Sequence, residues 1–371
     1  MSITGQVDEK KIREICDEFS IAGEFVSYEM VTNGHINTTY KVYFRRNGEL
    51  KDYIVQKINT YVFKNPVEVM ENISSVTEYV RKKIKATGVS AKRFVLHYQQ
   101  DKSGNYYYAN GEEFWRCCRF IDDSAVFNLT DNLTVIEESG KAFGKFQQYL
   151  SDYPVKKLYI AIPHFHNTIK RYETFREALE KNASGRAEQV REEIEDYLAL
   201  EEIATQMYKL QRAGELPLRV THNDTKCNNV LFDKDTYEHL SVIDLDTVMP
   251  GLVAFDFGDA IRFTANTCAE DETDLEKVAL DMAKYEAFAR GFVGAVKDSL
   301  TKKELDTMAL GAVTMTVECG LRFLTDYIDG DKYFKVDHDR HNLDRSRCQL
   351  ALAKDMIARL DEMQAIVDKY R

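Results

Sequence analysis

The first third of the chain alternates between helical and β-like patterns of apolar positions. Residues 8–19 place their apolar side chains at helical spacing behind Asp8, a favourable N-cap residue. A second amphipathic helix is predicted from Asn65-Pro66 to residue 85, because asparagine caps helices well and proline suits a first turn. Runs rich in β-branched and aromatic residues predict five strands, at 25–31, 38–44, 52–58, 92–99 and 113–121.

Beyond residue 123 the pattern becomes mostly helical, with one interruption. Residues 217–263 are rich in turns and β-like runs, and they mix polar residues with apolar neighbours. An irregular polar segment inside a helical region is where a functional site is expected. Helices are predicted at 134–151, 168–182, 187–213, 273–293, 301–328 and 344–369.

Composition narrows the class of partner. The 371 residues carry a net charge of −11, which argues against nucleic-acid and anionic-membrane partners, since both recruit basic surfaces. A small anionic ligand such as a nucleotide stays compatible, because a local pocket can be positive on an acidic protein. We expect a monomer whose partners are small molecules.

The cysteines and the first residues indicate a reducing compartment. Seven cysteines occur with no C-x-x-C spacing, a pattern typical of reduced thiols rather than of disulfides or a zinc site. Neither an apolar signal core nor an apolar run long enough for a bilayer is apparent, so a soluble cytoplasmic protein is expected.

The interruption begins with a motif that carries chemistry. His222, Asp224 and Asn229 fit the pattern H-x-D-x-x-x-x-N, the catalytic loop of kinases. In such a loop the aspartate accepts the proton of the attacking hydroxyl, and the asparagine offers a neutral oxygen to magnesium. His222 is expected to hold the loop by hydrogen bonds rather than to react.

Two aspartates compete for the role of second metal ligand. Asp256-Phe257-Gly258 spells the metal-binding motif of protein kinases, whereas Asp244 follows the apolar run 240–243. The metal carboxylate should sit at the end of the hairpin that leaves the catalytic loop, and Asp244 occupies that place. We therefore predict that Asn229 and Asp244 bind magnesium and that the DFG spelling is coincidental.

These motifs together resemble the aminoglycoside phosphotransferase and choline kinase family. The matching residues are the catalytic-loop motif, Ile243-Asp244 and the segment from Gly251 to Asp256. The resemblance implies an α+β, protein-kinase-like fold of two lobes: an antiparallel five-stranded nucleotide-binding lobe, 1–121, and a mainly helical catalytic and substrate-binding lobe, 122–371. It also implies ATP and Mg²⁺ as cofactors, and it makes Asp256 an anchor of the catalytic loop.

Five segments narrow the resemblance to sugar kinases of that family: 34–40, 219–229, 243–251, 255–263 and 318–327. They imply transfer of the γ-phosphate of ATP to the anomeric C1 hydroxyl of N-acetylglucosamine or N-acetylgalactosamine. The sugar contacts that the resemblance implies, beside Asp224, are His35, Glu318, Arg322 and Tyr327.

The predicted nucleotide site departs from the usual kinase pattern in two places. The segment 34–40 has one glycine, Gly34, instead of a glycine-rich motif, although Asn37 and Thr38 can donate to phosphate. At the position of the usual strand lysine, alternation places Gln56, with Lys57 on the opposite face. Either a charge partner for the phosphates is missing, or Lys57 takes that role by a register shift. Adenine is expected near Arg119 and Asp122. For the usual ion pair Glu68, Glu71 and Glu78 are all available, and the sequence does not choose among them.

Other interpretations stay open at this stage. Asp246 could touch the metal or cap a turn, and for Asp259 an anchoring role is favoured over metal binding. Glu318 and Arg322 could form an ion pair on one face of a helix instead of binding the sugar. His164 and His166 favour a helix-entry loop over a metal site, and Tyr327 could be core. The rival functions are a related kinase of choline, homoserine or aminoglycosides, and a nucleotide-binding pseudokinase.

Overall fold

A computed structural model describes residues 7–32 and 36–371 and divides them between a sheet-containing part and a helical part. The strands are β1 (Glu24–Val31), β2 (Thr38–Arg46), β3 (Glu49–Lys57), β4 (Tyr108–Ala109), β5 (Phe114–Arg119), β6 (Ser124–Ala125), β7 (Arg219–Thr221), β8 (Val230–Asp233), β9 (His239–Val242) and β10 (Met249–Gly251). The helices are α1 (Glu9–Glu18), α2 (Pro66–Ala86), α3 (Leu133–Tyr149), α4 (Thr168–Lys181), α5 (Arg191–Ala199), α6 (Glu201–Arg212), α7 (Val253–Thr264), α8 (Met282–Val296), α9 (Lys302–Asp306), α10 (Met308–Asp329), α11 (His341–Ala358) and α12 (Leu360–Tyr370).

The N-terminal sheet has five antiparallel strands in the order β1-β2-β3-β5-β4. One face packs on α1 around Trp115 and Tyr40, and the other packs on α2. Asp8 caps α1 by accepting a hydrogen bond from the Lys11 N–H, which is the predicted start of that helix. The α+β class and the five-stranded N-terminal sheet predicted from the sequence are confirmed.

The strand predicted at 92–99 is wrong. Residues 91–94 form turns, because Val95 and Leu96 bury their side chains in the same apolar cluster as α2 instead of alternating across a sheet. The segment still runs beside β5, where Tyr98 forms an isolated bridge with Cys118. The two-residue β4 is the fifth strand of the sheet.

The helical part has α10 at its centre. Most of its side chains are buried between α4, α7 and α11. Among the described residues it is the one helix long and apolar enough to cross a membrane, yet 78% of its most apolar window is buried inside the protein. The expectation that no apolar run reaches that length is therefore wrong, and the run is the core helix of the helical part.

Between α6 and α8 the chain forms the predicted irregular segment, with one addition. Strand β8 pairs with β6 on one side and with β9 on the other in a small sheet, and β7 pairs with β10. Residues 253–264 then form α7, a buried helix that the sequence did not predict. The predicted boundary at residue 121 stays a prediction, and one apolar cluster, which includes Ile73, Cys118, Phe146 and Leu245, spans it.

Candidate active site

His222 fixes the start of the loop between β7 and β8. Its ring is fully buried and stands edge-on to Phe143. Nε2 donates to the carbonyl of Ile243 (2.9 Å), and Nδ1 accepts from the backbone N–H of Asp224 (3.2 Å). One imidazole therefore ties the catalytic loop to the end of β9, where the second candidate carboxylate begins.

Asp256 of α7 anchors the same loop through hydrogen bonds to its backbone. It lies in the first turn of α7 and is 1% exposed, and its two carboxylate oxygens accept the N–H groups of His222 (2.9 Å) and Asn223 (2.8 Å). Asn223 has a φ of 65°, a left-handed conformation that asparagine tolerates better than most residues. In this position Asp256 has no access to a bound nucleotide, which is the geometry expected of a loop anchor.

The rest of the DFG spelling is also occupied by packing. Phe257 lies among Tyr285, Phe288 and Phe292, and Gly258 faces the backbone of Gly311 on α10. The next residue, Asp259, accepts the N–H of Thr225 (3.0 Å) and pairs with Arg262. The tripeptide is thus one turn of a core helix.

Asp224 and Asn229 face each other across the loop. The amide nitrogen of Asn229 donates to the carbonyl (2.9 Å) and to the carboxylate (3.1 Å) of Asp224. The other carboxylate oxygen of Asp224 lies 2.8 Å from the ammonium of Lys226, a residue that the sequence analysis did not select. Burial disfavours that ammonium, but Asp224 and Asp259 outweigh it and raise the pKa of Lys226, so the lysine is held as a cation beside the candidate base.

Asp244 lies directly after β9 in a left-handed conformation, with a φ of 57°. Its side chain is reached by solvent from the cleft, although protein groups crowd most of its surroundings. That crowding, together with the charges of Asp246 and Asp224, raises the pKa of Asp244 to about 6. A carboxylate so disfavoured in the metal-free protein is well placed to gain from a bound cation.

The donor set fits magnesium. Asn229 directs its amide nitrogen at Asp224, which leaves its oxygen to face another ligand, and Asp244 supplies a carboxylate. Mg²⁺ prefers oxygen ligands and is usually held by one or two carboxylates with water and substrate phosphates. Among the described residues no cluster of three or more acidic, histidine or cysteine side chains could hold a metal.

The residues predicted to bind the nucleotide lie at several places around the sheet. Gly34, and His35 that was predicted to contact the sugar, lie outside the described residues. Asn37 donates to Asp246 (2.6 Å), and Thr38 pairs in register with Lys57. Arg119 and Asp122 flank the passage from β5 to β6, where adenine is expected.

Lys57 does not occupy the cleft. It pairs with Glu113 (2.6 Å), which also binds Lys11 of α1, so Lys57 lies on the face opposite Gln56. The alternation predicted from the sequence therefore holds, and the phosphate role considered for Lys57 is not supported by its position. On α2, Glu78 pairs with Arg81 of the same helix (3.5 Å).

Two of the expected sugar contacts are engaged by the protein itself. Glu318 is 1% exposed and accepts from His166 Nδ1 (3.0 Å) and the Thr168 hydroxyl (2.6 Å). Tyr327 is buried, and its ring packs under the guanidinium of Arg186 at 4.6 Å. The expectation that these two side chains touch the sugar is not supported, because burial gives them structural partners.

His166, which the sequence analysis assigned to a helix-entry loop, contacts the loop that carries Asp224. Its Nε2 meets the carbonyl of Asn223 at 3.2 Å, while Nδ1 meets Glu318. Both partners are acceptors, so both bonds form only when each ring nitrogen carries a hydrogen. The helix-entry loop thus braces the catalytic loop from the helical side.

A cationic surface lies beside this brace. The Arg171 guanidinium donates to the carbonyl of Phe165, while its Nε is buried with no protein partner. Burial and the neighbouring Arg322 lower the pKa of Arg171. Arg322 lies against the rings of Phe334 (5.3 Å) and Tyr333 (5.9 Å), and Tyr333 is 74% exposed. The family resemblance indicated Arg322, but neither the resemblance nor a local pattern indicated Arg171 or Tyr333.

Cavity size does not identify the site. A cavity of about 1080 Å³ lies among the outer helices, lined by residues that include Glu192, Asp339 and Lys354. None of the catalytic-loop residues lines it. The convergence of Asp224, Asn229 and Asp244 is therefore the better guide to the chemistry.

Comparison with known proteins gives one family and a set of similar folds. The model of the phosphotransferase enzyme family, abbreviated APH, matches residues 29–289. A choline kinase from Cryptosporidium parvum Iowa II is 14% identical with a TM-score of 0.59, covering 98% of this chain and 99% of that one. An aminoglycoside phosphotransferase from Alicyclobacillus acidocaldarius subsp. acidocaldarius DSM 446 is 10% identical with a TM-score of 0.56, covering 99% and 98%.

A third similar structure was solved with ligands. The spectinomycin phosphotransferase APH(9)-Ia, in complex with ADP and spectinomycin, is 11% identical with a TM-score of 0.54, covering 97% of this chain and all of that one. At such identities the similarity shows the fold, which is the protein-kinase-like fold expected from the catalytic-loop motif.

Proposed function

The chain belongs to the phosphotransferase enzyme family, and from that premise we propose that it is an N-acetylhexosamine 1-kinase. The coarser statement is that it is a small-molecule kinase that uses a nucleotide. The finer proposal is transfer of the γ-phosphate of Mg-ATP to the anomeric hydroxyl of N-acetylglucosamine or N-acetylgalactosamine. The observation that carries the reaction type is the meeting of Asp224, Asn229 and Asp244 in one cleft.

Asp224 acts as the base in this proposal. Its carboxylate is oriented by Asn229 at 3.1 Å and by Lys226 at 2.8 Å, so it presents one geometry to an incoming hydroxyl. A hemiacetal hydroxyl is more acidic than an ordinary alcohol and needs only a weak base. Most of the rate then comes from alignment and from neutralised charge rather than from proton abstraction.

The phosphate side is served by Asn229, Asp244 and Lys226. Asn229 and Asp244 would hold magnesium, which would supply positive charge against the negative charge of the phosphates. Lys226 places a further cation beside the base, where negative charge gathers during transfer. This lysine supplies a charge that the sequence analysis found missing from β3.

The acceptor side supports an uncharged substrate. Arg171 and Arg322 give the surface beside the catalytic loop a positive charge, and the nearby Glu318 is already paired with His166 and Thr168. A cationic acceptor would face repulsion there, whereas a sugar offers hydroxyl and carbonyl oxygens that guanidinium groups bind. Tyr333 adds an exposed ring against which an apolar sugar face can pack.

A second candidate function comes from the similar structures. One of them is a microcompartment-associated aminopropanol kinase, with 13% identity, a TM-score of 0.57 and coverage of 95% of this chain and 98% of that one. Together with the choline kinase it favours an amino alcohol as acceptor. The same catalytic residues would serve that reaction, so the two candidates differ only in the acceptor pocket.

The test is phosphorus NMR of the purified protein with Mg-ATP and single acceptors: N-acetylglucosamine, N-acetylgalactosamine, glucose, choline, homoserine and kanamycin. A new anomeric phosphate signal with the N-acetyl sugars is the expected result. A phosphate ester on an amino alcohol instead would keep the catalytic residues and overturn the sugar assignment.

The catalytic role is tested with Asp224→Asn. Turnover should fall by about three orders of magnitude or more, because the base is lost, while ADP binding persists within a few-fold. Asp298→Asn, an exposed position at the end of α8, is the matched control and should keep full turnover. Unchanged turnover of Asp224→Asn would overturn the mechanism, and binding without turnover in the unmodified protein would favour the pseudokinase.

A further inference from the structure

A buried cation on β5 faces the cleft. Arg116 is 2% exposed, and it lies directly across from Gln56 of β3 in the antiparallel register. The sequence analysis expected a lysine at the Gln56 position and found none. The structure places a guanidinium on the neighbouring strand at the same level of the sheet.

The guanidinium is held on both sides. Its Nε donates to the side-chain oxygen Oε1 of Gln56 (2.8 Å), and the side-chain nitrogen Nε2 of Gln56 donates to the Thr39 hydroxyl (3.0 Å). Both terminal nitrogens bind the carboxylate of Asp246, one of them at 3.1 Å. Residues of three adjacent strands therefore orient the Arg116 guanidinium so that it makes a bidentate contact with the Asp246 carboxylate.

Asp246 lies two residues after the candidate metal ligand Asp244. It is 3% exposed and also accepts from Asn37 (2.6 Å), the residue just before β2. Its loop, residues 245–247, packs against α2. The short loop that begins at Asp244 is thus fastened to the sheet through Asp246, which binds Arg116 of β5 and Asn37 beside β2.

Stability alone does not explain such a pair. Removing two charges from water costs free energy that their attraction often only offsets, so a well-packed apolar pair would serve stability equally well. What the ion pair supplies is a fixed direction: a bidentate guanidinium sets both the distance and the plane of the carboxylate.

We propose that Arg116 is a positioning residue that, through Asp246, sets the conformation of the Asp244 loop for binding of a metal–nucleotide complex. The pair would replace the strand-lysine to helix-glutamate pair of protein kinases, and it would couple the sheet directly to the metal loop. Arg116 is buried, and its three nitrogens all have protein partners, so it acts on the metal loop rather than on a phosphate. This inference rests on the proposed function only in that the ligand is a magnesium nucleotide; it requires no acceptor.

The experiment compares Arg116→Lys with the unmodified protein, using a fluorescent ADP analogue titrated with Mg²⁺. Lysine keeps the charge but cannot form the planar bidentate contact. We expect the Mg²⁺ concentration for half-maximal ADP binding to rise at least tenfold. Asp246→Asn, which weakens the pair from the other side, should give a shift in the same direction.

A rescue and a control separate positioning from general stability. Arg116→Met should lose more Mg²⁺ affinity than Arg116→Lys, and Gln56→Lys added to Arg116→Met should recover part of it by returning a cation beside Asp246. Arg347→Lys alters an ion pair between α11 and α5, in which two guanidinium nitrogens meet Oε1 of Glu193, and it should leave the Mg²⁺ dependence unchanged.

The outcomes divide cleanly. The proposal is supported if the Mg²⁺ concentration for half-maximal ADP binding rises at least tenfold in Arg116→Lys and does not change in Arg347→Lys. This holds regardless of any change in the melting temperatures of the variants. A Mg²⁺ dependence within twofold of the unmodified protein overturns it, as does failure of both Arg116→Lys and Asp246→Asn to fold, since the pair would then serve folding. Because no acceptor is present, a failed sugar assignment leaves this result unaffected.

Discussion

At the scale of single residues, the two carboxylates of the cleft have different surroundings. Asp224 is paired with Lys226 and Asn229, whereas Asp244 has the carboxylates of Asp246 and Asp224 near it. A base should be oriented and charged, and a metal ligand should lack a cation of its own until the metal arrives. The two environments match those two roles.

The raised pKa of Asp244, about 6, predicts a pH-dependent metal affinity. A carboxyl whose pKa is raised on folding carries an unfavourable charge above that pH, and the penalty is lost as the pH falls through about 6. Mg²⁺ requires the charged form, so protons compete with it below pH 6. We expect Mg²⁺-dependent ADP binding to be constant between pH 7 and 8 and to weaken by up to about tenfold per pH unit below 6.

Calorimetric titration of Mg-ADP at pH 7.5, 6.5 and 5.5 measures this dependence. The matched variant is Asp244→Asn, whose weak binding should show little change over the same range. Equal affinity of the unmodified protein at pH 7.5 and 5.5 would exclude Asp244 as the titrating metal ligand.

At the scale of elements, α7 is placed by a close approach to α10. A Cβ on Gly258 would lie 2.3 Å from the carbonyl oxygen of Gly311, and one on Gly311 would lie 2.2 Å from that of Ala254. Only glycine at both positions lets the two backbones meet. Since Asp256 lies on the same helix and binds the backbone of His222 and Asn223, this contact also fixes the position of the loop that carries Asp224.

Gly258→Ala should therefore destabilise the protein by about 1–3 kcal/mol, because the added methyl meets backbone that cannot turn aside. Gly294→Ala on α8 is the control: its Cβ meets nothing within 4 Å, and alanine should be neutral or stabilise the helix by up to about 1 kcal/mol. Urea unfolding of both variants measures the difference. Equal midpoints would contradict the close approach.

At the scale of the whole molecule, Asn72 of α2 joins the two parts. It is 2% exposed; its amide nitrogen donates to the carbonyls of Tyr159 (2.9 Å) and Val248 (3.0 Å), and its oxygen accepts the N–H of Tyr159 (2.9 Å). One side chain thus satisfies three backbone groups from the segment before α4 and the loop before β10.

Replacing Asn72 by leucine should cost about 3 kcal/mol, because buried backbone groups lose their partners. Ser74→Ala, a change at a half-buried position on the same helix, should stay within about 0.5 kcal/mol. Chemical denaturation followed by tyrosine fluorescence and by circular dichroism measures both variants. A leucine variant as stable as the serine control would show that the two parts are joined elsewhere.

Features of this molecule that depend on residues close together in sequence could be predicted, whereas features that depend on distant segments could not. Helix and strand patterns are local, so α1, α2 and most of the sheet could be predicted, and the spacing of His222, Asp224 and Asn229 gave the catalytic loop. The strand predicted at 92–99 is wrong because its apolar residues pack on a helix, a tertiary contact that the alternation of polar and apolar residues does not reveal. Helix α7 was missed because its polar residues serve distant backbone groups.

The candidate site shows the same division more sharply. Arg116 and Asp246 are 130 residues apart, and Gln56 is 60 from Arg116, so no local spacing relates them. Arg171 and His166 reach the cleft through contacts with segments far along the chain. Residues that act on a neighbour in sequence can be read from a motif, whereas residues that act across the fold require coordinates.

The carboxylate of Asp326 gathers the N–H groups of Lys332 (2.9 Å), Tyr333 (2.8 Å) and Phe334 (2.9 Å), while Asn342 secures it from behind. The backbone beside Arg322 is therefore held by a buried helix residue and not by its own side chains. The exposed side chain of Tyr333 can consequently be varied while the backbone keeps its conformation, whereas Phe334 packs on Phe323 with ring centroids 4.7 Å apart. For directed evolution of acceptor preference, a library at position 333 would change the side chain beside Arg322 on an unchanged backbone. Changes at Asp326 would instead remove the hydrogen bonds that hold this backbone in place.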